Sequence, residues 1–418
     1  MATFLDTVLF AAYFLLLFLS IFWIIVLFSP GEKTTSKKTR QPLFTAIVPA
    51  YNEEKSIRET IHSLINLNYP QNKMEIIVVN DGSKDRTKEI AEEVIKEYPR
   101  ANITLINQEN HGKGRAMNEG LKAAKGEFFA CLDADSFISS NALEVMLLFF
   151  EEEDVAAVCP LMKVRKPGSI LQKVQWHEYT INMFYRFLNA KINTIHVTPG
   201  PFSVYRTEVI KKLGGFDETT ITEDLELAIR LQKHHYRICQ TFDTTVETVA
   251  PNSWGQLFRQ RVRWYKGSCD NTIRYKELMF NKNYGDFGMI RMPTVVASGI
   301  IAIVLALALL QSLFQRLYQS FLSLEAVNFD FLTLIKNYSF NFNLLNLPFF
   351  KITIAGTLLA ISFFVMFYSF KLVREKITKH GRTWLSLITY LLIYSFFLTT
   401  VWFYIAYMFI MRKKNFWS

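Results

Sequence analysis

Cysteine is scarce: the 418 residues hold only Cys131, Cys159, Cys239 and Cys269. None is spaced as CxxC, so neither a disulfide framework nor a zinc site is expected, and all four read as small buried hydrophobes. Internal repeats and low-complexity tracts are also missing. The formal charge is +10, yet no basic stripe carries interleaved aromatics, so nucleic acid is not an expected partner. That charge suits anionic lipid headgroups instead. The first apolar run has no basic residue ahead of it and no small-residue cleavage site behind it, which argues for a retained anchor rather than a removed signal. The apolar runs are also poor in ionisable residues, which disfavours the polar pathway of a transporter.

What is abundant is apolar sequence, unevenly spread. Phe4 to Phe28, Pro293 to Phe314, Pro348 to Phe370 and Trp384 to Met411 are nearly uninterrupted, and a spanning helix needs roughly 20 apolar residues. This divides the chain into an anchor (1–28), a polar linker (29–42), a large domain (43–270), an interfacial helix region (271–292) and a membrane region (293–411). The last holds helices at 293–314, 348–370 and 384–411, with an extracytoplasmic loop at 315–347. Lys33, Lys37, Lys38 and Arg40 follow the first run, and Lys371, Arg374, Lys376, Lys379 and Arg382 separate the third from the fourth. Positive charge concentrates on the cytoplasmic side, so a multi-pass cell-membrane protein with a cytoplasmic large domain is expected. Arg412, Lys413 and Lys414 disagree with that count of spans.

Within the large domain, strand-like and helix-like segments alternate. Strands are expected at Leu43–Ala50, Met74–Asn80, Ile103–Asn107 and Glu127–Leu132. Helices are expected at Glu54–Leu67, Asp85–Tyr98 and Arg115–Lys125. The fold class is therefore α/β, a Rossmann-like and mainly parallel sheet, with a helical transmembrane region. Ligands of such sheets bind outside the carboxyl ends of the strands. Three strands finish there with acids, at Tyr51-Asn52-Glu53, Asn80-Asp81 and Asp133-Ala134-Asp135. Asp81 can hydrogen-bond a base or ribose, or simply cap a turn. Tyr51 is either a wall for a nucleobase or a half-buried aromatic. In extended chain Asp133 and Asp135 face one side and can share a hard cation, Mg²⁺ or Mn²⁺.

Lys113 lies in a glycine-flanked turn before a helix, where a phosphate contact and a solvated lysine are equal readings. Thr222-Glu223-Asp224 opens a helix. Thr220 with Glu223 has capping-box spacing, and Asp224 is the candidate general base for removing a hydroxyl proton. Gln260-Arg261-Val262-Arg263-Trp264 offers either an interfacial tryptophan or a stacking platform for a sugar, with Arg263 and Arg261 in reach of a diphosphate. The amphipathic stretches Ile170 to Leu188 and Gln256 to Phe280 are expected at the membrane interface.

Taken in order, P-A-Y-N-E-E at 49–54, N-D-G-S at 80–83, L-D-A-D at 132–135, T-E-D at 222–224 and Q-R-V-R-W at 260–264 resemble family 2 glycosyltransferases of the membrane-bound polysaccharide synthase type. The likeness spans roughly 43 to 270. Ser169 to Tyr179, with Q-W-H-E-Y, is most similar to the poly-N-acetylglucosamine synthase branch. The resemblance implies an A-type nucleotide-sugar fold and an inverting, metal-dependent transfer. Its donor would be a UDP-sugar of the N-acetylglucosamine or glucose type. By position Tyr51, Glu53, Asp81, Lys113, Asp133 and Arg263 would bind the nucleotide sugar, with Asp133 and Asp135 at the metal. Asp224 would be the base, and Gln260 and Trp264 would border the acceptor. The acceptor would be a growing β-linked polysaccharide that is exported. The alternative is single transfer to a lipid such as a polyprenyl phosphate or a ceramide-like lipid. A polymer channel would call for a second copy or an accessory membrane subunit.

Overall fold

The computed structural model describes residues 4–30, 40–330, 332, 349–381 and 383–411. Most of the linker (31–39), residues 331 and 333–347 of the loop 315–347, Arg382 and the cluster Arg412, Lys413 and Lys414 lie outside the described residues. The chain divides into two compact units, Met1–Phe28 with Ala297–Met366, and Ser29–Val296 with Phe367–Ser418.

The second unit contains an eight-stranded sheet in the order β3-β2-β1-β4-β7-β6-β8-β5. Its strands are β1 (Phe44–Ala50), β2 (Met74–Asp81), β3 (Ile103–Gln108), β4 (Phe128–Cys131), β5 (Ser136–Ile138), β6 (Val155–Val164), β7 (Ser203–Arg206) and β8 (Arg237–Thr248). β1 is parallel to β2 and β4, and β2 to β3. The sequence ladder of hydrophobic runs and intervening helices demands this, because parallel neighbours need a crossover. β7 runs antiparallel to β4 and β6, β5 runs antiparallel to β8, and β6 is parallel to β8. Every residue of β1 and β2 is buried, since helices cover both faces. One core gathers Val48, Ile57, Val78 and Met146, and the other gathers Ile47, Val79, Phe129 and Leu227.

In the first unit, α1 covers Phe4–Phe28 and the rings of Phe10 and Phe350 stack at 5.4 Å. The crossover helices are α2 (Ile57–Ile65), α3 (Thr87–Glu97) and α4 (Lys113–Ala123); α5 (Ala142–Leu147), α6 (Ile170–Lys191), α7 (Thr207–Lys212), α8 (Glu223–Lys233) and α9 (Trp254–Arg274) follow. The expected domain boundary at 270 therefore falls inside α9. Helix α10 runs Met292–Ala326, past the expected end at 314, because Gln311 to Ala326 interrupts the apolar run without any Gly or Pro to stop the helix. Among the described residues four helices, at Thr7–Phe28, Phe287–Ala326, Ile352–Leu372 and Thr383–Ile410, are long and apolar enough to cross a membrane.

The helix Ser395–Ile410, with Tyr394 just before it, packs directly on α6 and α9. Leu171, Val174 and Leu257 bury Tyr394, and Val262 meets Val401, Ile405 and Met408. Part of the apolar faces of α6 and α9, expected to lie on the membrane interface, is thus covered by protein. The intervening segment is docked by charge. Glu375 accepts from Trp176 Nε1 at 2.5 Å and pairs with Lys163 at 3.3 Å and Lys379 at 2.8 Å.

Candidate active site

The parallel strands end together at one edge. Ala50 is level with Asn80, and Asp81 with Gln108. Both carboxylate oxygens of Asp81 are engaged there. Oδ1 accepts from Gln108 Nε2 at 2.7 Å and His111 N at 3.0 Å, and Oδ2 from Gly112 N at 3.0 Å. Asp81 therefore fixes the turn from which α4 starts, and Lys113 is the first residue of α4 rather than part of a loop before it.

Lys113 is the centre of the site. Its Nζ lies 2.7 Å from Asp133 Oδ1 and 3.1 Å from Glu223 Oε1. Burial works against the charged amine, but Asp133, Glu223 and Asp224 outweigh it and hold the pKa well above that of an ordinary lysine. Gly200 completes the cradle: a Cβ there would stand 2.8 Å from Lys113 Nζ and 3.0 Å from Asp133 Oδ2. Any side chain would have to displace the ion pair.

The spacing of Asp133 and Asp135 is expected to put both on one side of an extended strand, but β4 ends at Cys131 and β5 begins at Ser136. They sit in a turn between β4 and β5, with Ser136 N donating to the Asp133 carbonyl at 2.9 Å. Burial, then the charges of Asp133 and Glu53, pushes Asp135 up to about 6. Glu53 is itself raised by burial, although Ser56 Oγ donates to its Oε2 at 2.7 Å. Lys113 pairs with Asp133, while the half-buried Glu53 and Asp135 have no ion-pair partner among the described residues.

The capping box expected from Thr220 and Glu223 does not form. The cap of α8 is Thr222, without a side-chain cap bond, because Glu223 turns to Lys113 instead. Asp224 follows it; burial and the Glu223 charge push it up to about 6 against the pull of Lys113. Its carbonyl accepts from Thr198 N at 3.3 Å and Thr198 Oγ1 at 3.0 Å.

Helix α9 is held against this end of α8. Asn271 Nδ2 donates to Thr222 Oγ1 at 3.1 Å and to Thr220 Oγ1 at 3.2 Å. Gly267 presses so close that a Cβ would fall 2.4 Å from Thr222 Oγ1. Trp264 lies about one helical turn before Gly267. Below its ring, at 4.2 Å, is the Arg261 guanidinium. Arg261 does not face a diphosphate as expected. It is fully buried, paired with both oxygens of Glu178, and donates to Tyr394 Oη at 3.1 Å. Gln260 Oε1 accepts from Arg261 Nη1 at 2.5 Å, Arg263 is exposed, and Tyr51 is half open at the end of β1. Burial raises the Tyr179 hydroxyl to about 12.

The structure thus gathers Glu53, Lys113, Asp133, Asp135, Glu223 and Asp224, with Asp81 as the anchor of the Lys113 turn. Sequence reasoning missed Glu223 as a charge partner, Gly200 and Thr198 altogether, and the Glu178–Arg261 pair. Only T-E-D and Q-W-H-E-Y carried any trace of them.

Residues 45–214 match the family described as Glycosyl transferase family 2. A poly-beta-1,6-N-acetyl-D-glucosamine synthase of Staphylococcus epidermidis is 33% identical over 273 residues, 62% of this chain and 65% of that protein. A probable glycosyltransferase, YdaM, of Bacillus subtilis is 32% identical over 259 residues, 57% of this chain and 58% of its own. The matches therefore cover somewhat less than two thirds of these relatives. Among solved structures, the mannosyltransferase PcManGT from Pyrobaculum calidifontis in complex with GDP-Man and Mn²⁺ shares the fold. Its TM-score is 0.62 at 20% identity, over 98% of each chain. The sheet order, the strand-end acids and the family match agree: residues 45–214 have the A-type fold and are similar to family 2 glycosyltransferases.

Proposed function

We propose that the chain transfers a sugar, with inversion, from a UDP-sugar of the N-acetylglucosamine or glucose type to a growing β-linked polysaccharide at the cytoplasmic membrane face. The carrying observation is the Lys113 bridge between Asp133 and Glu223, beside the raised acids Asp135 and Asp224. The 33% identical relative named as a polysaccharide synthase supports a polymer product. The basic residues after the first apolar run support the cytoplasmic placing.

Asp133 and Asp135 fit a divalent cation. Among the described residues no group of three or more His, Cys, Asp or Glu is arranged as a metal cage. A magnesium-like ion commonly needs only one or two carboxylates and takes its other ligands from phosphates and water. Asp135, Glu53 and Asp133 present negative charge that Lys113 alone does not offset. When bound, Mg²⁺ or Mn²⁺ would stabilise charge on the departing diphosphate.

Tyr51 walls the nucleobase, Glu53 and Asp81 border the nucleoside, and Lys113 and Arg263 meet the diphosphate. Trp264 offers its face to the acceptor sugar, steadied from below by Arg261, with Gln260 at its edge. The acceptor oxygen bonds to C1 of the donor sugar as the C1–oxygen bond to the diphosphate breaks. That electron pair leaves with the nucleoside diphosphate, and the hydroxyl proton passes to Asp224. A carboxylate at about 6 is a stronger base than an ordinary aspartate and is still ionised near neutral pH.

The test is the purified full chain given a panel of nucleotide sugars, with diphosphate release and product length both measured. Release with one UDP-sugar and a long product is expected. A product one sugar long would remove polymer elongation, and no release with any donor would overturn the reading.

A further inference from the structure

Between α6 and β7 the segment 196–200 belongs to no helix or strand, yet none of its residues is exposed. The sequence stiffens it: Pro199 and Pro201 flank Gly200, and each proline fixes its own φ and restricts the residue before it. A buried segment without a ladder must find partners for its backbone elsewhere, and here side chains supply them. The Val197 carbonyl accepts from Arg186 Nη1 at 3.0 Å, the Thr198 carbonyl from Tyr205 Oη at 3.5 Å, and the Pro199 carbonyl from Ser203 Oγ at 2.7 Å. Arg186 is itself steadied through Nε, which donates to Gln240 Oε1 at 2.9 Å. His196 Nε2 lies 2.6 Å from Arg291 Nη2. A guanidinium has donors only, so the imidazole nitrogen accepts. Just past the segment, Phe202 N donates to the Cys131 carbonyl at 2.7 Å, at the end of β4.

This braced segment bears on the candidate active site at two points. Thr198 donates twice to the Asp224 carbonyl, from N at 3.3 Å and from Oγ1 at 3.0 Å. Two residues later Gly200 abuts Lys113 Nζ and Asp133 Oδ2, and two residue steps reach at most ~7 Å. Asp224 lies in the first turn of α8, whose start has no side-chain cap bond. An uncapped helix end is the part that opens most readily, and Thr198 ties it down from outside. Thr198 is fully buried, so its hydroxyl has no water to turn to. A valine would fill the same space without the bond.

We propose that Thr198 is a positioning residue for the sugar transfer: through the Asp224 carbonyl it fixes where Asp224 stands relative to the Lys113–Asp133 pair, with Arg186 and Arg291 bracing the segment behind it. Its role is mechanical, and no proton or bond passes through it. A base displaced by about 1 Å can lose on the order of 100-fold in rate. Thr198 N still holds the carbonyl when the hydroxyl is gone, so removing Oγ1 alone should cost about ten-fold. The inference rests on the proposed role of Asp224 as base and adds the group that aims it.

The test uses the full chain in detergent micelles, with diphosphate release measured across donor concentrations and UDP affinity titrated separately. Thr198→Val should lower kcat about ten-fold while KM and UDP affinity stay within about two-fold, and Thr198→Ser, which keeps the hydroxyl, should restore most of the rate. In an Asp224→Asn background no base is left to aim, so adding Thr198→Val should cost less than about two-fold more, whereas general damage would multiply. Thr198→Val with unchanged kcat, or with an equal loss in the Asp224→Asn background, overturns the proposal. If Thr198→Val fails to bind UDP, the comparison passes to Thr198→Ala against Thr198→Ser, and equal rates overturn the proposal. Loss of UDP binding by both Thr198→Val and Thr198→Ala overturns it too, because the role is then general to the fold. Wild-type release by Asp224→Asn overturns the base reading instead, whichever way Thr198 behaves.

Discussion

Gly267→Ala sets two effects of known size against each other. Alanine inside a helix is favoured over glycine by about 1 kcal/mol, so by propensity alone the change stabilises α9. The new Cβ, however, would lie 2.4 Å from Thr222 Oγ1, 2.5 Å from its Cγ2 and 3.0 Å from its Cβ. Thr222 cannot simply swing away, because its Oγ1 accepts from Asn271 and its backbone starts α8. Overpacking of this kind costs about 1–3 kcal/mol, so the net change is a loss of up to roughly 2 kcal/mol. In a chain this large that lowers Tm by a few degrees at most. The catalytic effect should exceed the stability effect. Relief of the clash moves α9 away from the start of α8, shifting Trp264 relative to Asp224, and a displacement near 1 Å can cost on the order of 100-fold in rate. Thr222→Ala removes the two closest atoms and surrenders one hydrogen bond worth about 1 kcal/mol, while Asn271 keeps Thr220. The double variant should therefore recover most of the lost diphosphate release, with a coupling of about 0.5–3 kcal/mol in a thermal-unfolding cycle. If Gly267→Ala alone is more stable and as active as wild type, the close approach has no role and the argument fails.

Asp135 and Asp224 rise to about 6 from an ordinary 3.8, so the folded protein takes up protons more readily than the unfolded chain. Their contribution to stability is therefore most favourable at low pH and is lost as pH rises through about 6, and Mn²⁺ should raise Tm more at about pH 7.5 than at about pH 5. Diphosphate release should fall as pH drops below about 6, when both acids become protonated. Asp224→Asn should lower release by about 10²–10⁴-fold with little change in UDP affinity; unchanged release rules out its role as base. Arg261→Leu leaves Glu178 buried and unpaired and should cost about 3–5 kcal/mol, measured by thermal unfolding, whereas removing both charges with Glu178→Leu as well should cost far less.

Legibility in the sequence followed the range of the interactions. Hydrophobic runs ending in acids marked the edge of the sheet, because parallel strands carry their own signature along the chain. What depended on distant partners was hidden. Thr220 and Glu223 have the spacing of a local cap, and only the approach of Lys113, far away in sequence, turns Glu223 aside. Arg261 and Arg263 looked interchangeable, yet two residues of helix rotate one side chain about 200° from the other. Which of them is buried was decided by Glu178, 83 residues earlier. The alternation argument for Asp133 and Asp135 assumed a strand where the chain turns.

The Glu178–Arg261–Tyr394 contact has a practical consequence for anyone preparing the protein. A fragment trimmed at the end of α9 would expose a bared ion pair and the greasy flanks of α6 and α9, and should precipitate. Carrying the last apolar segment along, in detergent, is the smallest unit that keeps those surfaces dry.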